Sequence, residues 1–216
     1  IDGVAWIRLH YTYPTDFPYD LLPVMAKHKN VCKYMDIALQ HCSDNMLKKM
    51  HRHITREEQD AVIRRIRAEV PGICIRTTLL VGHPGETEED FEATMELSRK
   101  AKWSMTYSFI YSKREGTKAA VMEDQIPHDV SSKRFQRLLD LQTEISHEVN
   151  ASFVGKTTTV LFDDEVDVGE GYISGRSYEN LVVRAPRADV NKGFAKVYLK
   201  ESLGWALDGE IIKTEE

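Results

Sequence analysis

The spacing of its apolar segments constrains this chain most. Val4–Tyr11, Tyr34–Leu39, Ile73–Val81 and Thr106–Tyr111 are short runs rich in β-branched and aromatic residues, and each reads as a strand. Between them lie helix signals. Asp20 opens LLPVMAKH, and Ser43 precedes DNMLKKM. Thr55-Arg56-Glu57-Glu58 is a capping box, in which the Thr oxygen accepts an early backbone N–H and the Glu reaches back to the cap. Val62, Ile66 and Val70 then share one helical face, and Pro71-Gly72 stops the helix. The pattern repeats at Thr87-Glu88-Glu89-Asp90, ahead of Phe91 and Met95. Strands separated by crossover helices pair parallel, which predicts an α/β sheet. Ile73, Ile75, Leu79, Leu80 and Val81 make the third strand apolar on both faces, the pattern of a sheet covered by helices. Four such units make either a small open sheet or half of an eight-stranded barrel.

After the polar segment Ser112–Thr117 the texture changes twice. A longer helix is predicted over Asp129–Asn150, with Phe135, Leu138, Leu139, Ile145 and Val149 on one stripe. Beyond it, Thr157–Phe162, Gly171–Ile173, Leu181–Val183, Phe194–Leu199 and Gly209–Ile212 are short strands broken by turn residues and no helix, the pattern of a small all-β barrel. A boundary near residue 151 divides the chain into 1–150 and 151–216. The 216 residues suffice for one ordinary domain with a small appendage.

Composition excludes several classes. A charged fraction of 29% with 9% aromatics is that of a globular chain. No apolar run approaches the roughly 18 residues of a membrane span, and the first twenty residues lack the basic start and apolar core of a signal peptide, so a soluble, cytoplasmic protein with no membrane partner is expected. Cys32, Cys42 and Cys74 are odd in number and widely spaced, which fits neither a disulfide scaffold nor a CxxC metal knuckle.

Three places could carry chemistry. Val81-Gly82-His83-Pro84-Gly85-Glu86-Thr87 leaves a strand and enters a capped helix; such a turn either brings amides to an anion or serves geometry alone, and with no GxGxxG or GK[ST] the second reading is favoured. Asp36-Ile37-Ala38-Leu39-Gln40-His41 gathers polar groups at the C-terminal end of a strand, the edge where parallel sheets bind ligands. His41, His51 and His53 with Cys42 lack the spacing of a zinc site.

Taken together, five ordered motifs resemble one family. Leu9-His10-Tyr11-Thr12-Tyr13-Pro14, Met35 to His41, Met50-His51-Arg52, Leu80 to Phe91 and Tyr111 to Thr117 fall in the order found in radical SAM methylthiotransferases, and the closing barrel resembles their TRAM domain. LHYxYP and the DIxLQH strand resemble the RimO branch, with His41 distinguishing it from the tRNA-modifying MiaB branch. The resemblance implies an α/β fold: half of a radical SAM (β/α) partial barrel, followed by a small all-β, OB-like TRAM barrel. It also implies S-adenosylmethionine and two 4Fe-4S clusters. The family's CxxxCxxC is absent here, so the cluster ligands are expected outside this chain, upstream of Ile1. Ala38 stands where the family usually has Pro, His83 where it has Phe, and Ala206 where it has Asp.

The implied activity is methylthiolation of the β-carbon of an aspartate in small-subunit ribosomal protein twelve, free or on the ribosome, with the 216-residue chain alone inactive. For the cofactor, the resemblance points to Gln40 at the strand end, to the fork of Arg52, and to Thr77 and Thr78, one of which must face the barrel interior. Gln40 could instead bond a neighbouring loop, and Arg52 could pair with Glu57 or Glu58. For the substrate it points to His41 and to Glu115 and Thr117 at the mouth, while the acidic run that includes Asp163 and Asp164 could meet a basic partner. Charge supports a protein partner: residues 151–216 hold 8 Lys+Arg against 12 Asp+Glu, a net −4 of the chain's −5. An acidic barrel suits a basic ribosomal protein better than the phosphates of tRNA. The alternatives are tRNA adenosine methylthiolation and a cluster-free ribosome-binding module.

Overall fold

The computed structural model describes residues 2–212. β1 (Ile7–Thr12), β2 (Val31–Gln40), β3 (Cys74–Val81) and β4 (Met105–Ile110) form a four-stranded sheet in that order. All three pairings are parallel. The crossovers carry α1 (Leu21–Lys27), α2 (Asp44–Lys49) with α3 (Arg56–Glu69), and α4 (Glu88–Ala101). Both capping boxes form: Thr55 closes with Glu58 on α3, and Thr87 with Asp90 on α4. α5 (His128–Ala151) then returns across the sheet and lays Leu138, Leu141 and Ile145 into the same core as Met35, Ile37, Ile75, Phe91 and Trp103.

The helices cover one face of the sheet, a correction to the reading of β3 as apolar on both sides. Burial on β4 alternates, with Met105, Tyr107 and Phe109 exposed and Thr106, Ser108 and Ile110 turned toward the helices. On the open face Arg76 of β3 pairs with Asp36 of β2, its Nε 2.9 Å from Oδ2, and donates to the Tyr107 hydroxyl at 2.9 Å. This half-covered sheet is the architecture of half a barrel, with its interior side unclosed.

β5 (Thr157–Phe162), β6 (Tyr172–Ser177), β7 (Val182–Pro186), β8 (Gly193–Ser202) and β9 (Leu207–Ile211) close into a barrel in the order β5-β6-β7-β9-β8. Its core of Val160, Phe162, Ile173, Val183, Val197, Leu199 and Leu207 also takes in Cys74 from the start of β3. The barrel docks at the N-terminal ends of the strands. Arg8 donates to the Ser177 carbonyl at 2.9 Å, the Tyr178 hydroxyl to the Val31 carbonyl, and Trp6 stacks edge-on against Phe194 at 4.8 Å. The C-terminal ends of the sheet, where a parallel sheet binds ligands, are left free of it. No helix among the described residues is long and apolar enough to cross a membrane.

Candidate functional site

β2 ends irregularly. Its register with β3 breaks between Ile37 and Gln40, and Gln40 adopts φ +70°, in the left-handed region that non-glycine residues rarely enter. What holds it there lies one residue on. His41 is fully buried, and its Nδ1 accepts the backbone N–H groups of Cys42 (3.0 Å) and Ser43 (3.1 Å). An acceptor nitrogen carries no proton, so Nε2 bears it and donates to Glu86 Oε1 at 3.1 Å. Glu86 Oε2 accepts from the Gly82 N–H (2.7 Å) and from Arg134 of α5 (2.9 Å). Gln59 of α3 donates to the His41 carbonyl at 3.0 Å. Two crossovers, through Gln59 and Glu86, thus grip the end of β2, and α5 backs Glu86 through Arg134.

The same contacts explain the turn Val81–Thr87. Its amides are used internally, Gly82 on Glu86 and Gly85 on the Asp124 carbonyl at 2.8 Å, while α4 is capped by its own Thr87. The turn serves geometry. Gly82 has φ +75°, and a Cβ there would stand 2.6 Å from that of Ser131. The His83 ring meets Tyr111 edge-on at 5.3 Å and its Nδ1–H donates to the Pro84 carbonyl at 3.0 Å. Burial lowers its pKa.

Arg52 reaches back to β2. One terminal nitrogen donates to the Ala38 carbonyl at 2.7 Å, two residues before Gln40, and the guanidinium lies 4.4 Å over the Tyr13 ring. Glu58, one of its two expected competitors, is engaged in the capping box with Thr55. Arg52 Nε is buried with no partner among the described residues. A buried donor left open beside a carbonyl-anchored fork fits the carboxylate of an amino-acid-like cofactor. Thr78 shares the open face with Arg76 by strand alternation.

Two assignments need correction. Thr77 lies on the helix-covered face with Ile75 and Leu79, fully buried, its hydroxyl donating to the Ile37 carbonyl at 2.8 Å; it braces β3 to β2 and has no surface for a cofactor. His41 has no exposed surface for a substrate to touch, and its ring nitrogens are committed to Glu86 and to the Cys42 and Ser43 amides. Glu115 and Thr117 follow β4 at the same sheet edge, exposed, in a turn where the Thr117 hydroxyl donates to the Arg114 carbonyl at 2.7 Å. Asp163 and Asp164 are on the barrel and do not join the strand-end group. Asp164 takes Arg187 on both oxygens at 3.0 and 2.9 Å, and that hydrogen bonding holds its carboxyl below the usual range. Sequence reasoning missed Glu86, Arg134 and Gln59; a lone Arg four residues before Leu138 on the apolar stripe of α5 was the available signal.

Residues 3–98 match the model of the Radical SAM superfamily. The chain belongs to the radical SAM superfamily. Within that superfamily the likeness, which runs the length of the chain, is to RimO-type methylthiotransferases. It is 54% identical over 224 residues to a protein of Bacteroides thetaiotaomicron named ribosomal protein uS12 methylthiotransferase RimO, covering all of this chain and 51% of that one. It is 50% identical over 181 residues to the protein of that name from Phocaeicola vulgatus, covering 83% of this chain and 41% of that one. It is 40% identical to that of Cytophaga hutchinsonii, covering 99% and 50%. The chain therefore spans about half the length of the curated relatives it matches. Among solved structures it resembles coproporphyrinogen III oxidase (HemN) from Escherichia coli, a radical SAM enzyme, with TM-score 0.53 over 96% of this chain and 52% of that one; at 12% identity this shows the fold alone.

A radical SAM fold implies an iron–sulfur cluster, and the cysteines present do not fit one. Cys32, Cys42 and Cys74 are buried, and burial pushes the thiols of Cys42 and Cys74 up to about 12, which keeps them protonated where a cluster needs thiolates. Among the described residues no group of three His, Cys, Asp or Glu could hold a metal ion.

Proposed function

We propose that this chain is part of a radical SAM methylthiotransferase acting on the β-carbon of an aspartate in ribosomal protein uS12. Residues 1–150 would supply part of the cofactor-binding barrel, and 151–216 a TRAM barrel toward the substrate. The observation that carries this reading is the end of β2, where Arg52 presents its open Nε beside Ala38 and Gln40 in a chain that matches RimO-named relatives throughout. Bound there, S-adenosylmethionine supplies the radical chemistry. The chain's own residues bind and orient it: Arg52 takes the methionine carboxylate, Gln40 both donates and accepts, and Thr78 offers a hydroxyl from the open face. Glu115 and Thr117 line the mouth where the aspartate enters. The two 4Fe-4S clusters of the whole enzyme take their cysteines from outside these residues. The net −4 of residues 151–216 favours a basic protein partner in the cytoplasm.

One feature favours RNA instead. Phe194, Lys196, Tyr198 and Lys200 alternate on the exposed face of β8, the aromatic and basic mix that grips single-stranded nucleic acid. Trp6 packs edge-on against Phe194, and Lys200 lies 3.6 Å from Asp208. The test is mass spectrometry after incubating the cluster-loaded intact protein with S-adenosylmethionine and either purified uS12 or unmodified tRNA. A methylthio increment on the uS12 aspartate, with none from the 216-residue chain alone, is expected; an increment on tRNA only would replace this reading.

A further inference from the structure

A second concavity lies at the other end of the strands. It is a cleft of about 220 Å³ between α5, the start of β4 and the closed barrel. Tyr34, which lines it, precedes Gln40 by six residues of β2, so at ~3.3 Å per residue the cleft is roughly 20 Å from the strand-end site. Two of its buried polar atoms have no hydrogen-bond partner among the described residues. Tyr34 is 1% exposed, and its hydroxyl, with the Asn180 side chain beside it, makes no hydrogen bond of ordinary geometry among the described residues. Burial pushes its pKa up to about 12, so it stays an O–H donor. Gln142 is 9% exposed; its amide nitrogen donates to the Trp103 carbonyl at 3.1 Å and to Ser146 at 2.9 Å, which leaves Oε1 buried and open. Arg176 of β6 lines the same cleft and makes no ion pair with a described residue, whereas its neighbour Arg76 is held by Asp36.

Each buried polar atom left unpaired costs ~1–3 kcal/mol, and folded proteins keep few of them. A donor, an acceptor and a cation on residues that line one cavity are complementary to a ligand that has an anion and an N–H together. We propose that this cleft binds a small amino carboxylate, with its carboxylate on Arg176 and the Tyr34 hydroxyl, its ammonium on Gln142 Oε1, and its side chain against Met105 and Leu139. The volume, below the ~300–1,000 Å³ of pockets for drug-sized ligands, fits one amino acid and excludes a nucleotide. The site does not depend on the radical SAM chemistry at the opposite edge.

Isothermal titration calorimetry of the intact protein with L-leucine tests this, beside 4-methylpentanoate, which lacks the amine, and 3-methylbutylamine, which lacks the carboxylate. Leucine should bind one to one, the acid more weakly and the amine not at all. Arg176→Gln removes no native ion pair, so it should keep the thermal midpoint and weaken leucine roughly tenfold or more. Tyr34→Phe should also weaken it. No heat from leucine up to about 10 mM, or unchanged affinity in Arg176→Gln, overturns the proposal.

Discussion

Replacing Arg134 with methionine removes a guanidinium from the packed face of α5 while keeping most of the side chain's length. Arg134 is 8% exposed and Glu86 1%, so the substitution strips the cation from a carboxylate that water cannot reach. Breaking one side of a buried pair costs ~3–5 kcal/mol, because the remaining charge stays desolvated. Glu86 keeps two donors, the Gly82 N–H and His41 Nε2, which places the cost near ~3 kcal/mol. For a chain of this size that lowers the thermal midpoint by about 6–12 °C. Differential scanning calorimetry or a circular-dichroism melt measures it. A drop of less than about 3 °C in Arg134→Met would refute the buried-charge account.

Two further outcomes follow from the same turn. Burial lowers the pKa of His83 below its ordinary 6.5, so the unfolded chain binds the extra proton first and stability falls as pH drops below about 6.5; His83→Phe should flatten that decline in urea titrations between pH 7 and 5, and an unaltered slope would show that other groups cause it. Gly82→Ala forces a side chain into φ +75° and places its Cβ 2.6 Å from Ser131 Cβ. Left-handed strain of ~1–2 kcal/mol and overpacking of ~1–3 kcal/mol sum to ~3 kcal/mol, readable as a lower urea midpoint, and a loss under ~1 kcal/mol would mean that α5 yields there.

Local rules were legible. Thr55 and Thr87 signal their helix starts because the partners of a capping box lie three residues away, and both boxes form as read. The parallel order of β1 to β4 follows from crossover length. What sequence reasoning could not supply was long-range. Alternation says that Thr77 and Thr78 face opposite ways, yet only the helices packed on Ile75 and Leu79 decide which one is hidden. Strand-end position made His41 look available, but its partner Glu86 is 45 residues on and Arg134 a further 48, so the burial of that ring is visible only once α5 has crossed the sheet. Asp164 read as a free carboxylate for a basic partner until the barrel closed Arg187 onto it. Arg52 is the opposite case, where the local competitor Glu58 is already engaged and the long-range partner is β2.

The most direct test of the strand-end site is calorimetric titration of the intact protein with S-adenosylmethionine across four variants. Arg52→Ala and Gln40→Ala should each weaken binding roughly tenfold, the loss expected for a hydrogen bond involving a charged group. Thr78→Val should weaken it less, and Thr77→Val should leave affinity unchanged because its hydroxyl is committed to the Ile37 carbonyl. Wild-type affinity in both Arg52→Ala and Gln40→Ala would contradict the placement of the cofactor at the end of β2.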